Sequence, residues 1–252
     1  MTKVNNQWRE LEFWLKRRFS VSLPMFKLQK VSVKGLKKTF DQQQTERFET
    51  LCDTYSLNHW DEVCSNSEFL GNLCILDILQ QHLSPHRPQG PGLDIGSRNF
   101  WYAPALQSFV KTSWVGVEVD AHQRYITGHT RKAYANYMMR PFDNMSYQAN
   151  SLTEIQGSFS CITWFLPYIL PEPMEASGLP DRFFNPEALF EHAWNLLAPK
   201  GLLFIINQGA EEASHQQALL ENKKLHFEAI GKVESVFSIY KKERFGFLVS
   251  KE

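Results

Sequence analysis

A short motif at residues 93–100 constrains this chain more than any other stretch. The apolar run there carries a carboxylate at Asp94 and turns at Gly96. A second apolar run begins at Val115 and reaches the carboxylate of Glu118. Two buried strands that end beside each other, one at a glycine turn and one at an acid, are typical of a nucleoside site at the carboxyl edge of a parallel sheet.

The composition of the turn distinguishes between possible ligands. Gly96 has no Cβ, so a ligand can approach the backbone there, where the following helix is expected to present free N–H groups. Loops of the G-x-G-x-x-G type need several glycines to nest a pyrophosphate, and this loop has one. A nicotinamide-dependent oxidoreductase is therefore a disfavoured alternative. S-adenosylmethionine carries no phosphate and makes a lighter demand on the loop.

The two motifs resemble those of the class I S-adenosylmethionine-dependent methyltransferases. That family's first motif reads roughly D-x-G-x-G-x-G, and its second strand ends G-x-D or G-x-E. Arg98 and Phe100 stand where the family usually has its second and third glycines. At Arg98 we expect a positive φ, which costs a non-glycine residue about 1 kcal/mol or more. The residues that match the family are Asp94, Ile95, Gly96, Ser97, Gly116 and Glu118.

The resemblance implies a set of residues that bind S-adenosylmethionine. Asp94 and Gly96 are expected at its methionine end, Glu118 at the ribose hydroxyls, Val119 beside the adenine and Asn150 at the adenine edge. Three of these positions have ordinary alternatives: a helix cap at Asp94, a solvated strand end at Glu118 and a turn residue at Asn150. The complete expected set is Asp94, Ile95, Gly96, Ser97, Glu118, Val119, Asn150 and Trp164.

The order of elements after the second motif predicts the fold. The expected elements are a helix from residue 121 to about 137, extended segments at 146–150 and 159–165, a helix at 186–197 capped by Asn185, a strand at 202–207, a helix at 211–222, and strands at 227–240 and 245–250. The last two strands are separated by too few residues for a crossover helix, so they should be antiparallel. Together with this order, the resemblance implies an α/β, Rossmann-like doubly wound sheet of seven strands, mostly parallel, closed by an antiparallel C-terminal hairpin.

Three segments are expected along the chain. Residues 1–83 form a helical N-terminal cap or extension, with a strongly apolar helix near its end. Residues 84–92 are a linker rich in proline and glycine, and a short ordered loop is favoured over a flexible junction. Residues 93–252 form the methyltransferase-like α/β domain. The length and the 43% of hydrophobic residues suffice for such a core.

The end of the 159–165 segment suggests where a methyl acceptor binds. Related enzymes that methylate amino or amide nitrogens have Asp or Asn, Pro, Pro, then Tyr or Phe at this place. Here only Pro167 and Tyr168 match, and Phe165 replaces the polar residue. Methylation of such nitrogens is therefore disfavoured. Trp164, Phe165 and Tyr168 form either an aromatic wall for an apolar or planar acceptor or ordinary packing at a strand end.

The chemistry-bearing residues elsewhere give weaker indications. No catalytic residue is assigned, although His122, His129 or Tyr168 are candidates for a general base. The helical spacing of Glu211, Glu212 and His215 lacks a further metal ligand, so we expect an exposed polar helix and no metal. The cysteines show no metal or disulfide spacing and are expected to be reduced and mostly buried; they are Cys52, Cys64, Cys74 and Cys161.

Charge and apolar residues are unevenly distributed in the N-terminal arm. Residues 1–38 hold ten Lys or Arg and two acids, so this arm carries about +8 and the rest of the chain about −8. A helical face would carry Lys27, Lys30, Lys34, Lys37 and Lys38. This face is either solvated or a site for an acidic domain, a nucleic acid or an anionic membrane. An apolar stripe is made by Trp8, Leu11, Trp14, Leu15 and Phe19.

The apolar stripe allows two interpretations. We expect it to pack over the mouth of the cofactor cleft as a lid, and a membrane-surface helix is the alternative. The chain has neither an apolar stretch long enough to span a bilayer nor a signal-peptide core, which predicts a cytoplasmic protein. A methyltransferase acting on an unidentified acceptor is the leading hypothesis. A binding or scaffold protein becomes the better account if Arg98 and Phe100 fill the cleft.

Overall fold

A computed structural model describes residues 3–23, 31–86, 88–238 and 240–251. Its strands are β1 (Gly92–Ile95), β2 (Trp114–Val117), β3 (Met145–Gln148), β4 (Phe159–Phe165), β5 (Leu197–Gln208), β6 (Phe227–Lys232) and β7 (Arg244–Ser250). They form one sheet in the order β3-β2-β1-β4-β5-β7-β6. Strands β1 to β5 are parallel, and β7 runs antiparallel to both β5 and β6. The expected sheet is confirmed.

Helices cover both faces of this sheet. They are α1 (Lys3–Arg18), α2 (Val33–Lys37), α3 (Gln42–Thr54), α4 (Trp60–Val63), α5 (Asn66–Leu83), α6 (Ala103–Phe109), α7 (Arg131–Met139), α8 (Pro171–Ala176), α9 (Pro186–Leu196) and α10 (Gly209–Asn222). Short 3₁₀ helices lie at Ser84–His86, Leu152–Glu154 and Asp181–Phe183. Asn185 caps α9 as expected, because its side chain accepts a hydrogen bond from the backbone N–H of Ala188.

The hydrophobic core has two main layers. One layer joins helices α3 to α7 to the sheet and contains Trp60, Leu76 and Phe204. The other packs α9 and α10 on the opposite face, around Phe190 and Leu203. Because α3 to α5 share a core with the sheet, residues 42–83 pack as a layer of the α/β structure. The proposed division at residues 84–92 stays a prediction, and residue 87 lies outside the described part.

The expected helix at 121–137 is wrong in its first half. Residues 121–130 form a looped excursion closed by a bridge between Arg124 and Thr130. Gly128 turns this loop with a φ of +83°, and helix α7 begins only at Arg131. Thr130 caps that helix by accepting from the N–H of Ala133. The apolar spacing masked these two local signals, a glycine turn followed by a threonine cap.

The expected strand at 227–240 is also too long. Strand β6 ends at Lys232, just after Gly231 adopts a φ of +79° at an irregularity in the pairing with β7. A glycine in this conformation marks a bulge, which bends the strand away from its partner.

The N-terminal helix α1 packs on the molecule through an unexpected face. Phe13 is buried with Met174 and Leu179, and the guanidinium of Arg9 donates to the carbonyl of Leu179 and pairs with Asp181 at 2.5 Å. The expected apolar stripe does not pack over the cleft; all five of its side chains point outward. The prediction of a lid formed by the stripe is wrong, because α1 is anchored by its opposite face.

The basic helical face is only partly within the described residues. Lys27 and Lys30 lie outside them, while Lys34, Lys37 and Lys38 lie on and just after α2, all exposed. Among the described residues, no helix combines the length and the apolarity needed to cross a bilayer.

Candidate cofactor cleft

A cleft of about 370 Å³ opens at the carboxyl edge of β1, β2 and β4. This volume lies in the range of small-molecule sites, about 300 to 1,000 Å³. The cleft lies between β1 and β4, where the strand order reverses. The chain connections on the two sides of this point lead in opposite directions along the sheet, which leaves a crevice. The expected cofactor residues that line it are Ile95, Gly96, Glu118, Val119, Asn150 and Trp164. Asp94 and Ser97 are fully buried beneath it.

The glycine turn leaves the cleft open. Gly96 has a φ of +69°, and a Cβ built there would meet no atom within 4 Å. Arg98 and Phe100 both have a φ of +51°, so the positive φ expected at Arg98 is confirmed. Arg98 lines the cleft and is exposed. The loop therefore keeps its turn with two non-glycine residues at the cost of backbone strain.

Phe100 does not enter the cleft. Its side chain is fully buried in the core layer on the other side of the loop. It packs on Gly116, where a Cβ would lie 3.0 Å from the Phe100 ring. The missing glycine at 100 is thus matched by a glycine at 116, which provides room for the ring. A scaffold protein would have been favoured if Phe100 filled the cleft. Phe100 does not fill it.

The backbone N–H groups of the turn are already used. Those of Gly96 and Ser97 both donate to the carbonyl of Val117, at 2.9 and 3.0 Å. The N–H of Arg98 donates to the Glu118 carboxylate at 2.9 Å. The free N–H groups expected from the following helix are therefore not presented by this turn. A pyrophosphate would find no backbone nest here, which disfavours a dinucleotide.

Glu118 holds the centre of a buried charged cluster. Its Oε2 accepts from the Arg98 N–H, and its Oε1 accepts from the Asp120 N–H at 2.8 Å and from Arg131 at 3.4 Å. Arg131 also pairs with Asp120 at 3.3 Å. Burial raises the pKa of Asp120 to about 6, although Arg131 opposes that shift. One lone pair of the Glu118 Oε2 stays without a partner among the described side chains.

Asp94 and Ser97 lie below the turn and stabilise it through hydrogen bonds. The Asp94 carboxylate accepts from the hydroxyls of Thr163, at 2.6 Å, and Tyr102, at 2.8 Å. The Ser97 hydroxyl donates to the Asp94 carbonyl at 2.8 Å. Complete burial raises the pKa of Asp94 to about 7, in spite of these hydrogen bonds. In this structure Asp94 links β1, β4 and the segment that leads into α6.

The other half of the cleft is apolar. Trp164, Phe165 and Tyr168 line it, as the interpretation of an aromatic wall requires. Leu166 adopts a φ of +59° between them, and strained residues of this kind cluster at binding sites. The segment after β4 adds the side chains of Pro173, Leu179, Phe183 and Leu189.

The candidate bases are separated by the structure. His122 bonds to the hydroxyl of Ser20 and His129 to the carbonyl of Leu23, so both hold the N-terminal segment and neither lines the cleft. Burial lowers the pKa of His122. Tyr168 lines the cleft and is 36% exposed.

The expectation of an exposed polar helix is right for Glu211 and His215 but wrong for Glu212, which is buried because it turns toward the cleft. Glu212 lines the cleft and accepts from the backbone N–H of Gln208 at 2.8 Å, while His215 bonds to the carbonyl of Glu211. Among the described residues, no group of three or more His, Cys, Asp or Glu is placed to hold a metal. Cys52 is exposed, and the three buried cysteines are Cys64, Cys74 and Cys161; all four are free thiols.

Sequence reasoning missed several residues of the cleft, among them Arg131, Leu179 and Phe183. Arg131 was assigned to the middle of a helix, but it opens α7 and reaches the acids at the end of β2. Leu179 follows α8 in irregular chain and Phe183 ends a short 3₁₀ helix, so no periodicity marks either residue. From the sequence, only a pairing of Arg131 with the acids at the end of β2 could have indicated its place.

Comparisons with known proteins agree with this architecture. No family model matches the chain, and no curated protein sequence matches it. A SAM-dependent methyltransferase from Aquifex aeolicus superposes with a TM-score of 0.51 at 14% identity, over 88% of this chain and 100% of that one. A geranyl diphosphate methyltransferase, solved with GPP and sinefungin, gives a TM-score of 0.51 at 8% identity, over 70% of this chain and 76% of that one. The chain has the class I methyltransferase fold.

Proposed function

We propose that this protein transfers a methyl group from S-adenosylmethionine to an apolar or planar acceptor. The observation that carries the proposal is the open cleft at the carboxyl edge of the sheet, with Gly96 facing free space and Glu118 at its polar end. This combination provides close backbone approach and a carboxylate for ribose hydroxyls, without a phosphate nest.

The polar half of the cleft fits an adenosyl group. The Oε2 of Glu118 has one lone pair left for a ribose hydroxyl, and a second bond to Oε1 requires the long contact with Arg131 to give way. Val119 lines the cleft beside Glu118 and would flank the adenine, with Asn150 at the adenine edge. A direct contact between Asp94 and the methionine ammonium stays a prediction, since the Asp94 carboxylate lies buried beneath the turn.

The apolar half would orient the acceptor. S-adenosylmethionine supplies an electrophilic methyl carbon, so the protein's task is to align the acceptor with it and exclude water. Trp164, Phe165 and Tyr168 supply flat apolar surface for this purpose. Phe165 offers no oxygen to an amino or amide nitrogen, which argues against acceptors of that kind. No catalytic residue is assigned; Tyr168 is the candidate base that lies in the cleft.

A methyltransferase-like scaffold is the alternative function. It would require a cleft closed to the cofactor. Phe100 is turned into the core and Gly96 faces open space, both of which support a cleft that binds a ligand.

The proposal is tested by following a labelled methyl group. S-adenosylmethionine labelled in its methyl carbon is incubated with the protein and with separated lipid, small-molecule, protein and RNA fractions of a cell extract. We expect label in an organic-soluble product with the wild type and loss of that label with Gly96→Val. Labelling confined to protein or RNA would contradict an apolar acceptor, and labelling of no fraction, in a protein that binds the cofactor, would favour the scaffold.

A further inference from the structure

The exposed apolar side chains of this protein are concentrated on one surface. Nine large apolar side chains are exposed among the described residues, and all except Tyr168 lie on the N-terminal segment or on the loop bonded to it. Apart from Tyr168, the exposed fractions of these side chains begin at 41% for Leu15 and reach 69% for Val21, and Ile126 is fully exposed. We name this set the docking surface: Trp8, Leu11, Trp14, Leu15, Phe19, Val21, Leu23 and Ile126.

The docking surface is held rigidly outward. Helix α1 is anchored by its opposite face, through the buried Phe13 and the bonds of Arg9 to residues 179 and 181. The extended segment after it is bonded to the 122–130 loop, where the N–H of Leu23 donates to the carbonyl of Gly128 at 3.2 Å and Arg124 donates to the carbonyl of Val21 at 2.6 Å. These contacts prevent the stripe from turning inward, so it presents apolar area that nothing in the described chain covers.

Positive charge flanks the same surface. The two acids of the arm are already paired, Glu12 with Lys16 at 2.8 Å and Glu10 with Arg182 at 3.0 Å. Arg17 and Arg18 form no ion pair within the described part of the chain. A shallow groove beside the stripe is lined by Trp14, Arg17, Arg18 and Arg182. Guanidinium groups therefore stand next to the apolar stripe, which is the arrangement of helices that lie in a bilayer interface.

We propose that the docking surface binds an anionic lipid bilayer, with α1 lying in the plane of the interface. Two exposed tryptophans on the helix suit the boundary between headgroups and acyl chains. A second copy of this chain fits the surface poorly, because a two-fold contact would bring the arginines of both copies together. A nucleic acid would neutralise the arginines but leave the apolar stripe in water. This inference does not rest on the proposed methyl transfer.

Flotation with lipid vesicles tests the proposal. The protein is mixed with vesicles of phosphatidylcholine and phosphatidylglycerol in equal parts, and with vesicles of phosphatidylcholine alone. We expect binding to the anionic vesicles, a shift of tryptophan emission to shorter wavelength and release by salt. Arg17→Glu with Arg18→Glu should lower the partition coefficient by about 30-fold or more, since each basic residue near such a surface contributes about fivefold.

Matched variants separate this effect from misfolding and from general charge. Lys241→Glu with Lys242→Glu changes two exposed lysines in the loop between β6 and β7, and should lower the partition coefficient only slightly. Leu11→Ser with Leu15→Ser removes apolar area from side chains that are already exposed, so the fold should persist while vesicle binding falls at least tenfold.

Three results would overturn the proposal. The first is no flotation at millimolar anionic lipid. The second is equal binding by the wild type and by the Leu11→Ser, Leu15→Ser variant. The third is a dimer in sedimentation analysis that both the Arg17→Glu, Arg18→Glu variant and the Leu11→Ser, Leu15→Ser variant convert to monomers, which would identify the surface as a contact between copies. Because none of these measurements uses the cofactor, failure of the methyl-transfer proposal would be visible separately.

Discussion

The two halves of the cleft are built in opposite ways from the same sheet edge. At the ends of β1 and β2, charged and polar groups are fixed by several hydrogen bonds each, and Glu118 alone accepts three. At the end of β4, Trp164 and its neighbours offer apolar area with few polar groups. Directional bonds specify one ligand closely, whereas apolar walls select mainly by size and shape. The first half therefore indicates a cofactor, and the second leaves the acceptor open.

The largest effect is expected at the glycine turn. In Gly96→Val the added side chain enters the cleft at a φ of +69°, so binding of S-adenosylmethionine should fall more than 100-fold. Gly231→Val is the matched control, because Gly231 has a φ of +79° and equally open surroundings but lies in β6. Both variants should lose about 1 to 3 kcal/mol of stability from backbone strain. Calorimetric titration checks the binding, and equal affinities of the two variants would refute the role of the turn.

A smaller loss is expected from Glu118→Gln. The change removes the charge that a ribose hydroxyl would meet but keeps the shape, so affinity should fall about 10- to 100-fold, as for a hydrogen bond to a charged group. Asp120→Asn is the control, since Asp120 pairs with the same Arg131 without lining the cleft, and it should change affinity less than threefold. Titration with S-adenosylhomocysteine measures both, after circular dichroism has confirmed folding. An unchanged affinity in Glu118→Gln would remove Glu118 from the site.

The buried carboxyl group of Asp94, below the turn, should make the free energy of unfolding depend on pH. Burial raises the folded-state pKa of Asp94 to about 7, so the stability it contributes is complete below its unfolded pKa of 3.8 and is lost as the pH rises through 7. Between pH 5.5 and pH 8.5 this loss amounts to about 2 kcal/mol. Asp94→Asn should remove this loss and leave only the smaller decline from Asp120, whose pKa burial raises to about 6. Urea unfolding at the two pH values measures it, and an equal decline in both proteins would show that Asp94 does not titrate as described.

The smallest effect on the cofactor is expected from the apolar half. Tyr168→Ala removes a side chain that is 36% exposed and takes part in none of the hydrogen bonds of Glu118, so affinity for S-adenosylmethionine should change less than twofold. Methyl transfer to the acceptor should fall instead. A large loss of cofactor affinity in Tyr168→Ala would contradict the assignment of the cofactor to the polar half and the acceptor to the apolar half.

Much of the fold and part of the site could be predicted from the sequence. The strands and the antiparallel pairing of β6 with β7 followed from apolar runs and from a connection too short for a helix, whereas the mostly parallel sheet was implied by the resemblance. The loop at 121–130 was missed because the turn at Gly128 and the helix cap at Thr130 were overlooked within a segment taken as one helix. The pairing of Phe100 with Gly116 was missed because it depends on the distance between the loop after β1 and strand β2, which no local pattern encodes.

The N-terminal arm shows a different limit of sequence reasoning. An apolar stripe on a helix normally indicates the buried face, and the pattern was read in that way. In the structure α1 is instead held through one arginine and one phenylalanine, Arg9 and Phe13, on the other side. Arg9 is buried because residues far away in the sequence supply a carbonyl and a carboxylate to its guanidinium. Periodicity within the helix could therefore not predict which face packs.

The central claim is that this cleft binds an adenosyl ligand. Calorimetric titration of the wild-type protein with S-adenosylmethionine and S-adenosylhomocysteine, with NADH as the control, tests it most directly. We expect micromolar dissociation constants for the two adenosyl ligands, which correspond to about −8 kcal/mol, and no binding of NADH. The absence of binding at millimolar concentrations of both adenosyl ligands would contradict it.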